Sequence, residues 1–142
     1  MAVITELSVE ELQKLQKTMG NNVLILKFGA EWCGPCKRIA PTYHAFIASK
    51  PANIIFADIN VDDNIDLYMA LKRNKMIGAV PVFFAYYGDT KKREKWFIPD
   101  DSLIGADEVQ VAAFFQRCKA KAANGNNNAG KEGYSYFTWL IL

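Results

Sequence analysis

The 142-residue sequence predicts an α/β domain, a central mixed β-sheet with helices on both faces. Two short apolar runs, Val23 to Phe28 and Asn53 to Asn60, are rich in branched residues and read as strands buried on both sides. Segments of helical periodicity separate them, and a later pair of runs flanks the turn Gly88-Asp89 as an antiparallel hairpin would. Strands that alternate with helices and then close on a hairpin give the order β-α-β-α-β-α-β-β-α, with Val3 to Thr5 as a short edge strand.

Ser8-Val-Glu-Glu11 has the form of a capping box, so the first helix starts there and runs to Met19, with Gly20 just past its end. Asn21-Asn22 and Gly29 bound the strand over Val23 to Phe28. Pro35 to Ser49 is the second helix and Asn64 to Lys75 the third. The hairpin pairs Val82 to Tyr87 with Lys92 to Phe97. Asp107 to Lys121 is the last amphipathic helix, with Val109, Val111, Ala112, Phe114, Phe115 and Cys118 at its apolar positions.

After Ala123 the composition changes. Residues 1–123 form the domain, 124–133 an Asn/Gly-rich linker, and 134–142 an aromatic and aliphatic tail without a charged side chain. The tail is too short to span a bilayer. Its docking onto the same chain, or onto a second copy as a homodimer, is preferred to a membrane anchor.

The formal charge of +2, with 23% charged residues and no basic block, argues against nucleic acid or an anionic membrane as a partner. No apolar run approaches the roughly 20 residues of a membrane span. The N-terminus lacks the basic start and apolar core of a secretory signal, so the expected location is cytoplasmic or another reducing intracellular compartment. Three cysteines, two of them as C-x-x-C, agree with such a compartment.

Cys33 and Cys36 carry the chemistry. A C-x-x-C that follows a buried strand and opens a helix places Cys33 at the helix N-cap, facing unpaired N–H groups and the positive end of the helix dipole. Pro35 suits the first helical turn. This setting favours thiolate at Cys33, and Cys36 is near enough to close a disulfide with it. Cys33 then attacks a substrate disulfide and Cys36 resolves the mixed disulfide. A zinc site would need four ligands, and the rest of the chain offers only His44 and Cys118. His44 lies eleven residues from Cys33, roughly 16 Å along a helix, and reads as a surface residue. Cys118 reads as a buried structural thiol, with regulatory oxidation or an intermolecular disulfide as the alternative.

The stretch Phe28-Gly-Ala-Glu-Trp-Cys-Gly-Pro-Cys-Lys-Arg-Ile-Ala-Pro41 closely resembles the active-site segment of thioredoxins, and Met76-Ile-Gly-Ala-Val-Pro-Val-Phe-Phe resembles their cis-proline segment. The resemblance covers about Val3 to Lys121. It implies the thioredoxin fold, a cis peptide at Val80-Pro81, and a helix bent at Pro41. It also implies substrate contacts at Trp32, Gly34, Pro35, Val80, Pro81 and Gly105, the last matching the glycine beside the cis-proline. The implied activity is reduction of protein disulfides, with recycling by a thioredoxin-reductase-type enzyme. The chain has no nucleotide-binding glycine pattern, so no cofactor of its own is expected. A disulfide oxidase or isomerase is disfavoured by the Gly-Pro pair. A binding or scaffold module using the long loop and the tail, with turnover secondary, is the competing reading.

The sequence departs from the family pattern in three places. The strand before the motif carries Lys27 where thioredoxins commonly have a buried aspartate, and Asp58 stands on the next strand where they often have lysine. Either Lys27 pairs with Asp58 beneath the motif and favours a thiolate on Cys36, or it reaches past the strand end into water. The segment Ile98 to Ile104 is extra length; it is either a solvated loop or a shaper of partner choice, with Asp100 and Asp101 repelling acidic partners. The tail is the third departure.

Overall fold

The computed structural model describes residues 2–90 and 93–141, with side chains to residue 125. Its elements are α1 (Val9–Thr18), β1 (Val23–Gly29), α2 (Gly34–Arg38), α3 (Ala40–Ser49), β2 (Ile54–Asn60), α4 (Ile65–Arg73), β3 (Val82–Tyr87), β4 (Asp101–Ile104) and α5 (Glu108–Ile141).

The four strands lie in the order β2-β1-β3-β4. β1 runs parallel to β2 and antiparallel to β3, and β4 is antiparallel to β3. β1 is buried along its whole length, as its nearly unbroken apolar run, interrupted by Lys27, requires in a strand covered on both faces. Alternation splits the core in two. Leu24, Leu26 and Phe28 join one cluster with Leu12, Leu15, Leu67 and Leu71 from α1 and α4. Val23 and Ile25 join the other with Tyr43 and Phe46 from α3 and Phe114, Phe115 and Cys118 from α5.

Ser8 and Glu11 form the reciprocal capping box of α1. The expected edge strand at Val3 to Thr5 is reduced to one parallel bridge, Ile4 to Ala57, held by Ile4 N–H to Phe56 O at 3.1 Å and Asp58 N–H to Ile4 O at 2.8 Å. The expected single helix from Pro35 to Ser49 is two, broken at Ile39. Pro41 lacks the N–H that would bond to Lys37 O, and its ring crowds that carbonyl.

The hairpin is corrected. Residues 93–97 form no strand, and the partner of β3 is β4, inside the segment expected to be a loop. Successive residues of a strand point to opposite faces, yet Trp96 and Phe97 both pack against the α1/α4 side of the core. Arg93 gathers this loop by bonding to Tyr87 O, Ile98 O and Asp100. Asp100 also accepts from Tyr87 N–H at 2.7 Å, and Asp101 is held by two guanidinium nitrogens of Arg117 at 2.7 and 3.1 Å. Both carboxylates are therefore ties within the domain rather than charges free to repel a partner.

The buried stripe of α5 is Val111, Phe114, Phe115, Cys118 and Ala122; Val109, expected in the core, is 78% exposed, and Ala112 also faces outward. The helix continues past Lys121. Asn53 Nδ2 donates to Ala122 O at 2.7 Å, and a methyl group on Gly125 would come within 3.0 Å of Asn21 O. The docking expected of the tail at 134–142, and the side chains of most of the linker at 124–133, lie outside the described residues. Among the described residues no helix is long and apolar enough to cross a membrane.

Candidate active site

β1 delivers the chain to the site and α2 receives it. Cys33 is the N-cap of α2, with extended backbone, and its Sγ accepts from Cys36 N–H at 3.2 Å. Cys33 and Cys36 are joined as a disulfide with their Cα atoms 5.3 Å apart. Both are buried, at 4% exposure each, whereas Gly34 and Pro35 between them are exposed. In the reduced pair, the same N–H and the helix end would stabilise a Cys33 thiolate.

The outer rim of the motif is formed by three separate stretches. The Val80-Pro81 peptide is cis, and Val80 O lies 3.7 Å from Cys33 Sγ, a contact rather than a hydrogen bond while the sulfur carries no proton. Gly105, at φ +105°, donates its N–H to Pro81 O at 3.0 Å, so the loop after β4 sits directly beside the cis-proline. Trp32 is 67% exposed and its Nε1 donates to Asp62 Oδ2 at 3.0 Å, which fixes the ring from the loop before α4.

Behind the motif the register pairs Lys27 of β1 with Asp58 of β2. Lys27 is 5% exposed, and its Nζ donates to Asp58 Oδ1 at 3.1 Å and to Tyr43 Oη at 3.2 Å. The ammonium also stands 4.3 Å from the Tyr43 ring centroid. Lys27 therefore does not extend into water. A cavity of about 410 Å³ opens here, and Cys36, Lys27, Tyr43 and Asp58 line it.

The sequence singled out Lys27 and Asp58 but not Tyr43 or Asp62. Tyr43 lies seven residues after Cys36, about two turns and one face of the single helix expected over Pro35 to Ser49, a signal that the break at Ile39 weakens. Asp62 offered no pattern, because its role depends on how two loops meet. His44 is exposed on α3, and Cys118 is buried against the aromatic cluster of α5. Burial pushes the Cys118 thiol up to about 12, with the Asp101 carboxylate adding to the shift. Among the described residues no group of three or more His, Cys, Asp or Glu could hold a metal ion.

The Thioredoxin family model matches residues 4–97. The chain belongs to the thioredoxin family. Over 104 residues it is 35% identical to a thioredoxin of Mycoplasma pneumoniae, covering 72% of this chain and 95% of that protein. Over 60 residues it is 40% identical to thioredoxin domain-containing protein 8 of Mus musculus; that match covers 42% of this chain and spans less than half, 46%, of the relative. It superposes on a chain in the solved complex of ferredoxin:thioredoxin reductase and thioredoxin f2 with TM-score 0.60, at 25% identity, covering 81% of this chain and 94% of that one. The mixed sheet with helices is thus the thioredoxin fold, and a thioredoxin with a Cys33–Cys36 pair is equipped for thiol–disulfide exchange.

Proposed function

We propose that the chain reduces disulfides of proteins by dithiol exchange. The observation that carries this reading is Cys33 at the N-cap of α2 with Cys36 within disulfide reach. The Cys33 thiolate attacks one sulfur of a substrate disulfide, and the other leaves as a thiolate that takes a proton from water. Cys36, as thiolate, then attacks Cys33 Sγ. The Cys33–substrate bond breaks, the substrate leaves reduced, and Cys33–Cys36 is oxidised. Trp32, Gly34, Pro35, Val80, Pro81 and Gly105 supply the substrate contacts, with an extended substrate segment laid against the backbone at Val80.

Lys27 and Asp58 tune the inner cysteine. An ammonium at most about 6 Å from Cys36 favours its thiolate, and the ion pair with Asp58 anchors that ammonium behind the motif. Each turnover leaves the pair oxidised, so a recycling enzyme of the thioredoxin-reductase type is required; the complex of thioredoxin f2 with its reductase supports this partner. We place the protein in a reducing compartment, where that recycling runs toward the dithiol.

The reduction potential of the Cys33–Cys36 pair tests the proposal. We expect a value nearer to about −270 mV, typical of thioredoxins, than to the about −120 mV of a strong disulfide oxidant. A value near the oxidant end would overturn reduction as the direction of flow.

A further inference from the structure

The gap between Lys27 and Cys36 is defined by Gly29. A methyl group built on Gly29 would lie 2.9 Å from Lys27 Nζ and 3.4 Å from Cys36 Sγ. Ammonium and sulfur thus both border the space that a single carbon on Gly29 would fill and lie at most about 6 Å apart, where opposite charges shift ionisation strongly. An ammonium has three N–H donors. Asp58 takes one and Tyr43 another. The third can turn toward the cavity that Cys36 also lines.

Tyr43 is the unexpected member of this set. Its hydroxyl accepts from Nζ while its ring lies beneath the charge, and the ring stacks on Phe56 and meets the exposed His44 edge-on. Asp58 is 30% exposed, so alone it would draw the flexible lysine outward along the strand edge toward solvent. Tyr43 is 7% exposed and approaches from α3, on the protein side. The other charged groups that line the cavity are Glu6, Glu31, Asp63 and Lys37. The three carboxylates oppose a thiolate at Cys36, which makes the position of the Lys27 ammonium decisive.

We propose that Tyr43 is a positioning residue for the exchange reaction, holding the Lys27 ammonium between Asp58 and Cys36 so that Cys36 meets the mixed disulfide already as a thiolate. This rests on the tuning role of Lys27 given above. The proton of Cys36 passes to solvent in the cavity before the resolving step, not to a side-chain base during it. The step itself then only exchanges one sulfur–sulfur bond for another.

The test is the titration of Cys36 in the full chain with Cys33→Ser, which removes coupling between the two thiols. It is followed by the ¹³Cβ shift of labelled cysteine; Cys118, pushed up to about 12, stays out of the range. Tyr43→Phe keeps the ring and loses the hydroxyl, and should raise the Cys36 midpoint by about 0.5–1 unit. Gly29→Ala, whose methyl displaces the ammonium, should raise it by a similar amount with Tyr43 in place. In the chain with Cys33 restored, Tyr43→Phe should slow resolution of a mixed disulfide with 5-thio-2-nitrobenzoate about 3–10-fold at pH 6, with recovery by pH 9. In Lys27→Met, Tyr43→Phe should add nothing further. An unchanged midpoint in Tyr43→Phe, or an equal shift with and without Lys27, overturns the proposal. An unchanged midpoint in Lys27→Met overturns it together with the tuning role. Failure of the unmodified chain to reduce any protein disulfide would instead strike the exchange reading, which the titration does not depend on.

Discussion

On one face of the sheet, Val23, Ile25 and Lys27 form a row along β1, and Ile54, Phe56 and Asp58 form its neighbour along β2, in register pair by pair. Two-thirds of this double row is dry. Val23, Ile25, Ile54 and Phe56 lie under Phe114, Phe115 and Cys118. The last third is an ion pair that borders the cavity behind Cys36. Two buried cysteine sulfurs therefore border the same face and differ in company. Cys118 has aromatic rings around it and is held protonated by burial, whereas Cys36 has an ammonium across a one-carbon gap. On the tuning role proposed above, burial alone does not decide whether a thiol is inert; the sign of the charge beside it also counts.

The two sulfurs should differ most in activity. Cys33→Ser should lower reduction of a protein disulfide by at least about a thousand-fold, because no other thiol is placed to attack. Cys118→Ala should leave the same rate within about two-fold, since its sulfur is out of reach of substrate. Turnover with insulin as substrate measures both. Loss of activity in Cys118→Ala with the fold intact would mean that the dry end takes part in the chemistry.

The polar end should be the more fragile under substitution of one partner. Asp58→Asn leaves Lys27 buried against a neutral amide. A fully buried pair so broken costs about 3–5 kcal/mol, and the partial exposure of Asp58 reduces the expectation to about 1–3 kcal/mol. Urea unfolding of the oxidised chain at pH 7 reads this directly. A change below about 0.5 kcal/mol would show that the ammonium finds water as good a partner.

Much of this arrangement was legible in the sequence, and the reasons for the gaps are physical. The capping box at Ser8, the buried run of β1 and the C-x-x-C at the start of a helix are local patterns, each fixed by neighbours within a few residues. Lys27 and Asp58 were legible only as departures from the family pattern, with pairing and a lysine reaching into water both open; the register and the ion pair decide for pairing. The hairpin partner was not legible. Asp101 to Ile104 is only four residues long and half-exposed, while Trp96-Phe97 offered a stronger apolar signal that belongs to a loop packed on α1. What decides between them is Arg93, whose three bonds draw the loop back across β3. Tyr43 went unnoticed for a similar reason: one tyrosine among the apolar positions of α3 looks like core until a charge is found beneath it.

The dry end predicts an alkaline limit. The Cys118 thiol lies at about 12 in the folded chain, against about 8.5 when unfolded. A raised value means that the stabilisation is whole below the unfolded midpoint and is lost as pH climbs toward the folded one. Tyr86 and Tyr87 are also raised, by burial first, but from an ordinary value near 10. Between pH 9 and 10 Cys118 contributes up to about 1.4 kcal/mol per unit to the fall, joined by the two tyrosines toward pH 10 and opposed by Lys50, whose value burial lowers. In the oxidised chain, where Cys33 and Cys36 do not titrate, Cys118→Ala should flatten that part of the stability profile. An unchanged slope would mean that the thiol is not held protonated by its surroundings.

The smallest effect concerns the rim, which neither end of the row controls. Trp32 exposes two-thirds of its surface beside Cys33, and its Nε1–H bond to Asp62 fixes the ring. Removing it uncovers no core, so Trp32→Ala should change stability by no more than about 0.5 kcal/mol. A protein substrate would lose an aromatic contact of the kind worth about 0.5–1.5 kcal/mol, or about 3–10-fold in kcat/KM. A small disulfide, which spans little of the rim, should react at nearly the parent rate. Asp62→Ala keeps the ring and frees its orientation, so it should show the same selectivity at about half the size in free energy. Equal losses for protein and small disulfides would place Trp32 in the chemistry of Cys33 itself, and would extend the tuned environment from the chamber behind Cys36 to the outer sulfur.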